Sequence, residues 1–124
     1  MSGKKKLLLD TNAVLYILSN KQNREILRGN RLCISFVTEL ELLSFPAIND
    51  EEKEIINQFI KNTEIIDIDI IIKEKTIELR KRYRLKLPDA IICATALLQK
   101  CILVTNDTKL INIKEIKSVT LKIE

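Results

Sequence analysis

Histidine is absent from all 124 residues. That gap removes Ser-His-Asp and Cys-His catalysis, imidazole acid–base chemistry and His-ligated zinc together. Aromatics are scarce at 4%, which argues against recognition on a sheet of exposed, base-stacking Phe and Tyr. With two glycines and two prolines, long disordered linkers are not expected. The three cysteines, Cys33, Cys93 and Cys101, each lie in an apolar stretch and form no C-x-x-C pair. They read as buried, reduced thiols of a cytoplasmic protein. No signal peptide is visible and no apolar run approaches a membrane span, so no membrane partner is expected. Whatever hydrolytic chemistry the chain performs must rest on carboxylates, lysine or a metal ion.

What is present points to one globular domain over residues 1–124. Hydrophobic residues make up 46%, mostly Ile and Leu, enough for a substantial core. Twenty-one Lys and Arg against 17 Asp and Glu give a net charge of +4 and a pI near 9.0. This permits a polyanionic partner without demanding one. Much of the excess sits in two runs, Lys4-Lys5-Lys6 and Arg80-Lys81-Arg82 with Arg84 and Lys86. Each run is either a solvated face or a phosphate contact. Arg80, Arg82, Arg84 and Lys86 are kept as candidate RNA contacts.

Strand and helix signals alternate. "LLL" at Leu7–Leu9 reads as a short buried strand, and "AVLYIL" behind it as a buried helix capped by Thr11 or Asn12. Arg31–Phe36 reads as a second strand, followed by a helix over "VTELELLSF" that Pro46 stops. Asn49 with Glu52 looks like a capping box for a helix that presents Ile55, Ile56, Phe59 and Ile60 on one face. Glu64–Ile68 is expected as a strand, and Asp69 as the cap of a helix aligning Ile72, Thr76, Leu79 and Tyr83. Pro88 opens an almost wholly apolar helix whose alanines allow close packing. "CILVT" is another buried strand, and "VTLKI" a weaker one. Short strands, apolar on both faces and separated by helices, imply a three-layer α/β/α sandwich with a mostly parallel central sheet. Ligands of such sheets bind beyond the carboxyl ends of the strands.

Four acids stand out against that expectation. Asp10 ends the first strand, and Glu41 lies inside the helix after the second. Asp89 sits in the first turn after Pro88, and Asp107 two residues past "CILVT". Each has a plain structural alternative. Asp10 could be only a cap, Asp89 only a partner for the helix dipole, and Asp107 only a turn residue. Glu41 could be only an ion-pair partner, with Glu39 the inward-facing acid. Together they would gather at one edge of the sheet. Crowded carboxylates raise one another's pKa unless a cation compensates. Oxygen-only ligation suits Mg2+ or Mn2+, an ion that can activate water and stabilise charge in phosphoryl transfer without any histidine.

Four segments in register resemble the PIN-domain nucleases, and in particular the VapC toxins of type II toxin–antitoxin pairs. They are "LLLDTN", "ISFVTELELL" with its Ser-x-x-Thr-x-x-Glu-Leu pattern, "LPDAIICATAL", and "ILVTNDTKL". The resemblance selects Glu41 over Glu39. It implies an Mg2+- or Mn2+-dependent endoribonuclease with Asp10, Glu41, Asp89 and Asp107 around the metal, and Asn12 and Thr105 as polar supports. It also implies an RNA substrate, a cognate VapB-like antitoxin and a homodimer. Two departures from the family pattern are "SFPAIND" after Glu41, where a Gly-containing stretch is common, and Leu110, where an aromatic is commoner. Two other readings compete. One is a PIN-like module that binds RNA or protein without cutting. The other is a receiver-type signalling domain, although receivers carry an adjacent acidic pair where this chain has Asp10-Thr11-Asn12.

Overall fold

Leu7, Leu8 and Leu9 decide the architecture. Successive side chains of a strand leave opposite faces, so an all-apolar run needs cover on both. In the computed structural model, which describes residues 5–19, 25, 28–46 and 49–122, it has both. Leu7 and Leu9 pack in one core with Ala13, Val14, Ile17, Ile34 and Phe59. Leu8 packs in a second core with Cys33, Ile72, Leu79, Ala90 and Cys93. Lys4 of the basic triplet, and Ala47 and Ile48 of "SFPAIND", lie outside the described residues.

The elements in order are β1 (Lys6–Leu9), α1 (Thr11–Ser19), β2 (Arg31–Ser35), α2 (Phe36–Leu43), α3 (Asp50–Lys61), β3 (Glu64–Ile66), α4 (Ile70–Tyr83), α5 (Leu87–Leu98), β4 (Ile102–Val104), α6 (Thr108–Ile111) and β5 (Ser118–Val119). The five strands form one sheet in the order β3-β2-β1-β4-β5. Every pairing is parallel. The expected three-layer sandwich is therefore present, with α1, α2 and α3 on the first core and α4 and α5 on the second. The chain winds outward from β1 through β2 to β3, then returns to place β4 on the other side of β1. That reversal makes a crevice at the carboxyl ends of β1 and β4, the place where open α/β sheets bind ligands.

Several expectations shift in detail. The cap of α1 is neither Thr11 nor Asn12. Both are already helical, and Asp10 accepts the Ala13 N–H at 2.8 Å. Phe36 belongs to α2 rather than β2, because Ser35 turns the chain by accepting the Val37 N–H at 3.1 Å. The α2 helix ends at Leu43, before Pro46 can stop it. Asn49 caps α3 through the Glu52 N–H, but Ile55 is 40% exposed while Ile56 and Phe59 are buried. The hydrophobic face is thus narrower than the sequence suggests. β3 stops at Ile66, since Asp69 begins capping α4 through the Ile72 N–H at 2.7 Å. The last strand is Ser118–Val119, held beside β4, and not the longer "VTLKI". Along α4, Ile72, Thr76 and Leu79 are buried in line as expected. All three cysteines are free and buried. Among the described residues no helix is long and apolar enough to cross a membrane.

Candidate active site

Parallel pairing of β1 with β4 sets the site. The register Leu9↔Val104 puts the residues that follow, Asp10 and Thr105, side by side, and the Asp10 N–H donates to the Val104 carbonyl at 3.2 Å. Asp10 is 8% exposed. Burial pushes its carboxyl above the ordinary aspartate range. The Thr105 hydroxyl and the Ala13 N–H pull it back down, and Asp107 and Glu41 push it up again. Thr105 is fully buried and also accepts the Asp107 N–H at 3.1 Å, so one hydroxyl ties two of the acids to the end of β4.

Glu41 reaches the same place from α2. The Ser-x-x-Thr-x-x-Glu-Leu pattern has a role at each fixed position. Ser35 caps the helix, the Thr38 and Thr11 hydroxyls pair at 3.2 Å, and Leu42 enters the core. Glu41 accepts a short hydrogen bond from the same Thr11 hydroxyl. The spacing of three places Thr38 and Glu41 on one face of the helix. Glu39 is not among the cavity residues.

Asp89 comes from the second layer, in the first turn of α5, where the helix dipole favours a negative charge. Burial nevertheless pushes its carboxyl up, followed by the charges of Asp107 and Asp10, and Lys86 partly offsets the rise. Asp107 is exposed and caps α6 by accepting the Lys109 N–H at 2.9 Å. The acids also reach Cys93, whose thiol is pushed up to about 12 by burial first and then by Asp89, Asp10 and Asp107.

All four acids line one cavity of about 290 Å³, together with Thr11, Asn12, Leu15, Phe45 and Ile92. An adjoining cavity of about 360 Å³ shares Asp10, Asn12 and Asp107 and adds Tyr16, Asn106 and Leu121. The two share an acidic floor at the carboxyl edge of the sheet. As the side chains stand, no three acids among the described residues converge closely enough to grip an ion. One oxygen of Asp10, one of Glu41 and one of Asp107 are taken by Ala13, Thr11 and Lys109. The donor set is nevertheless what a hard divalent cation requires: oxygen only, no thiolate, no imidazole, and carboxylates whose mutual repulsion a cation would relieve.

The cavities contain residues that sequence reasoning passed over. Tyr16 and Phe45 flank the acids, so few as the aromatics are, two of them border these cavities. For Tyr16 the signal was the spacing of four from Asn12, which shares a helix face; Phe45 lies beyond the end of α2 and had none. Asn106 had no such signal. Its amide pairs twice with the backbone of Leu121, at 2.7 and 3.0 Å, and fastens the C-terminal segment beside Asp107.

The basic run fares unevenly. Arg80 donates to the Leu85 carbonyl at 3.2 Å. Arg82 pairs with Glu115 at 2.7 Å and with Glu78 at 3.4 Å. Arg84 ends α4 in a left-handed conformation, φ 55°. Lys86, directly before α5, is the member of the run that acts on an acid of the site.

The family model described as PIN domain matches residues 7–116. The chain belongs to the PIN-domain family. The receiver-type reading falls with that result. Among solved structures, a toxin–antitoxin complex from Klebsiella pneumoniae aligns at 30% identity and TM-score 0.77, covering 92% of this chain and 96% of that one. VapBC2 from Rickettsia felis, bound to a DNA fragment from its promoter, aligns at 25% identity and TM-score 0.77, covering 93% and 98%. DNA-bound VapBC from Salmonella typhimurium shares the fold at TM-score 0.79 and 22% identity, covering 94% and 98%. Within the PIN family the chain is therefore VapC-like. No curated protein matches the chain at a significant level.

Proposed function

We propose that this PIN domain is a divalent-metal-dependent endoribonuclease and the toxin of a type II toxin–antitoxin pair. One observation carries the reading: Asp10, Glu41, Asp89 and Asp107, from four separated parts of the chain, line a single cavity at the sheet's switch point. A bound Mg2+ or Mn2+ would supply activation of a water and positive charge against the phosphate and the departing 3′ oxygen. The chain's own residues do the rest. Asp10, Glu41, Asp89 and Asp107 would hold the ion. Thr105 fixes Asp10 and Asp107, and Thr11 fixes Glu41. Asn12, at the cavity wall, is placed to support the ion or a phosphate oxygen. Tyr16 and Phe45 offer apolar faces to the nucleotides beside the scissile bond, and Lys86, with Arg84 and the neighbouring Arg80 and Arg82, offers charge to the backbone. The expected products carry a 5′-phosphate and a 3′-hydroxyl.

The partner reading rests on the assemblies named for the structural relatives. It also rests on an apolar groove next to the acids. Leu15, Leu18, Phe45, Ile55 and Ile56 line a hollow of about 150 Å³. Leu40, Leu43, Phe45 and Ile55 are all at least 40% exposed. A VapB-like antitoxin segment with an apolar face would cover this groove, and an Arg or Lys from it would counter the acids. The homodimer expected for the free toxin would use other apolar helix faces.

The test is cleavage of a mixed RNA substrate with Mn2+, with EDTA, and with Asp10→Asn, followed by sequencing of the new ends. Metal-dependent cutting that is lost with Asp10→Asn supports the reading. Tight RNA binding without cutting in Mn2+ would favour the non-cleaving module instead.

A further inference from the structure

The opposite edge of the sheet holds a second, larger cavity of about 680 Å³ that the nuclease reading does not use. It lies where β1 and β4 begin and just before β5, and Lys5, Lys6, Lys100 and Lys117 stand around it. Leu97, Ile102 and Ile116 form an apolar part of its wall. None of the four lysines makes an ion pair among the described residues, although the chain carries 17 acids. Among the described residues one carboxylate stands on the wall, Glu115, and it is already engaged by Arg82 at 2.7 Å and by the Tyr83 hydroxyl. Glu64, itself paired with Arg31, acts on Lys6 from outside the wall, and Lys5, Lys100 and Lys117 keep the cavity positive. Lys6 is partly fixed, donating to the Gln99 amide oxygen at 3.2 Å.

Lys100 adds an independent observation. It follows α5 at φ 55°, with its N–H on the Leu97 carbonyl at 3.3 Å and the Cys101 N–H on the Ala96 carbonyl at 2.9 Å. This is the paired hydrogen-bond pattern of a helix end whose left-handed residue is usually glycine, because a Cβ is disfavoured there. A side chain kept at a conformational cost points to use of that side chain.

We propose that this cavity binds a nucleoside phosphate, its phosphates on the lysines and its base and sugar against the apolar wall. Concave shape, an apolar wall and a few convergent charges are the features of small-ligand sites, and unneutralised lysines suit phosphate oxygens. The ligand is either a free nucleotide or the phosphorylated end of an RNA chain, since both present the same group.

The experiment measures binding by fluorescence in EDTA, which keeps it independent of cleavage. The probes are a mant-labelled adenosine triphosphate and two short dye-labelled RNAs of one sequence, with a 5′-phosphate or a 5′-hydroxyl. Lys100→Gly and Lys117→Gln should each weaken binding about tenfold, while Lys53→Gln on α3 leaves it unchanged. Melting curves of both variants should stay at or above that of the unaltered chain, because glycine relieves the left-handed backbone and Lys117 is exposed. Binding of the triphosphate identifies a free nucleotide as a sufficient ligand. Binding of the 5′-phosphorylated RNA alone identifies an RNA end. Failure of all probes to bind, or equal binding by Lys100→Gly, Lys117→Gln and the unaltered chain, would overturn the proposal. Displacement by inorganic tripolyphosphate as effective as by unlabelled adenosine triphosphate would overturn its nucleoside half.

Discussion

At the carboxyl edge of the sheet stand Asp10, Glu41, Asp89 and Asp107; at the amino edge stand Lys5, Lys6, Lys100 and Lys117. The two sets are separated by little more than the length of β1, about 13 Å at roughly 3.3 Å per residue. Their opposite charge follows the direction of the helices. In a parallel α/β sheet the helices begin at the carboxyl edge and end at the amino edge, so positive dipole ends gather where the acids are and negative ends where the lysines are. Asp10 caps α1, Asp107 caps α6 and Asp89 lies in the first turn of α5, whereas Lys100 directly follows the end of α5. Backbone dipoles thus support both clusters before any ligand arrives. Asp10, Glu41 and Asp107 each accept a specific hydrogen bond, and Asp10 is buried. The lysines line an open rim, and of the four only the Lys6 side chain has a hydrogen-bond partner among the described residues.

That contrast predicts unequal consequences, the greatest at the acidic edge. Asp10→Asn keeps a capping side chain, since Asn caps as well as Asp, but removes a charge from the centre of the acid group. RNA cleavage should fall at least about a hundredfold, as expected on loss of a metal-holding or charge-stabilising group. The circular dichroism spectrum should stay unchanged. Glu39→Gln, two residues from Glu41 but outside the cavity, should cut at the unaltered rate. Similar losses in both would break the assignment of the site.

Next in size is the effect of metal on stability. Asp10 and Asp89 have carboxyls raised above the ordinary aspartate range, chiefly by burial. A raised acid keeps a proton in the folded state that the unfolded state has already lost. Its stabilising effect is complete below the unfolded value and disappears as pH rises through the folded one. In EDTA the melting temperature should therefore decline as pH climbs from near 4 through the raised values. Saturating Mn2+ should reverse the decline, adding roughly 2.7 kcal/mol at a hundredfold excess over its dissociation constant. The gain should be larger at about pH 8 than at about pH 5, where protons compete with the ion. A Mn2+ effect that is absent at both pH values, or that survives intact in Asp107→Asn, would count against a metal site at this edge.

Smaller still is the loss of the cap that aims α2. Ser35→Ala removes the oxygen that accepts the Val37 N–H and should cost about 1 kcal/mol in urea unfolding. Because Thr38 and Glu41 ride on the same helix, cleavage should fall as well. Lost stability with full activity would show that α2 is positioned by packing rather than by its cap. The least change is expected at the amino edge. Lys100→Gly exchanges a left-handed lysine for a residue that tolerates the conformation but gains freedom when unfolded. The two effects nearly cancel, leaving stability unchanged or raised by up to about 1 kcal/mol. A clear loss would mean that the lysine stem packs structurally against its neighbours.

Much of this was legible in the residues themselves. The missing histidine, the doubly apolar strands and the four spaced acids pointed to a parallel sheet and a carboxylate-based site without any coordinates. Element type followed from local periodicity and caps, as at Asn49 and Asp69, whose side chains meet the N–H groups three residues on. Boundaries followed less well. Whether Phe36 ends a strand or opens a helix depends on the Ser35 hydrogen bond, and Ile55 looks as apolar as Ile56 until the second layer is in place.

The sequence alone determined which side chains are available, and hence that oxygen ligation of a hard cation is the accessible chemistry. It also determined, through alternation and capping, that strands and helices succeed one another. Tertiary structure decided the rest. Only the reversal of strand order between β1 and β4 sets Asp10 beside Thr105. Only the packing of two helical layers brings Glu41 from one and Asp89 from the other to the same cavity. Asn106 is bound to Leu121 and Arg82 to Glu115 by contacts fifteen and thirty-three residues apart. Lys5, Lys6, Lys100 and Lys117 become one rim for the same reason: parallel pairing aligns the starts of distant strands. Local pattern constrains neighbours along the chain, but charges far apart in sequence meet only where the sheet register places them.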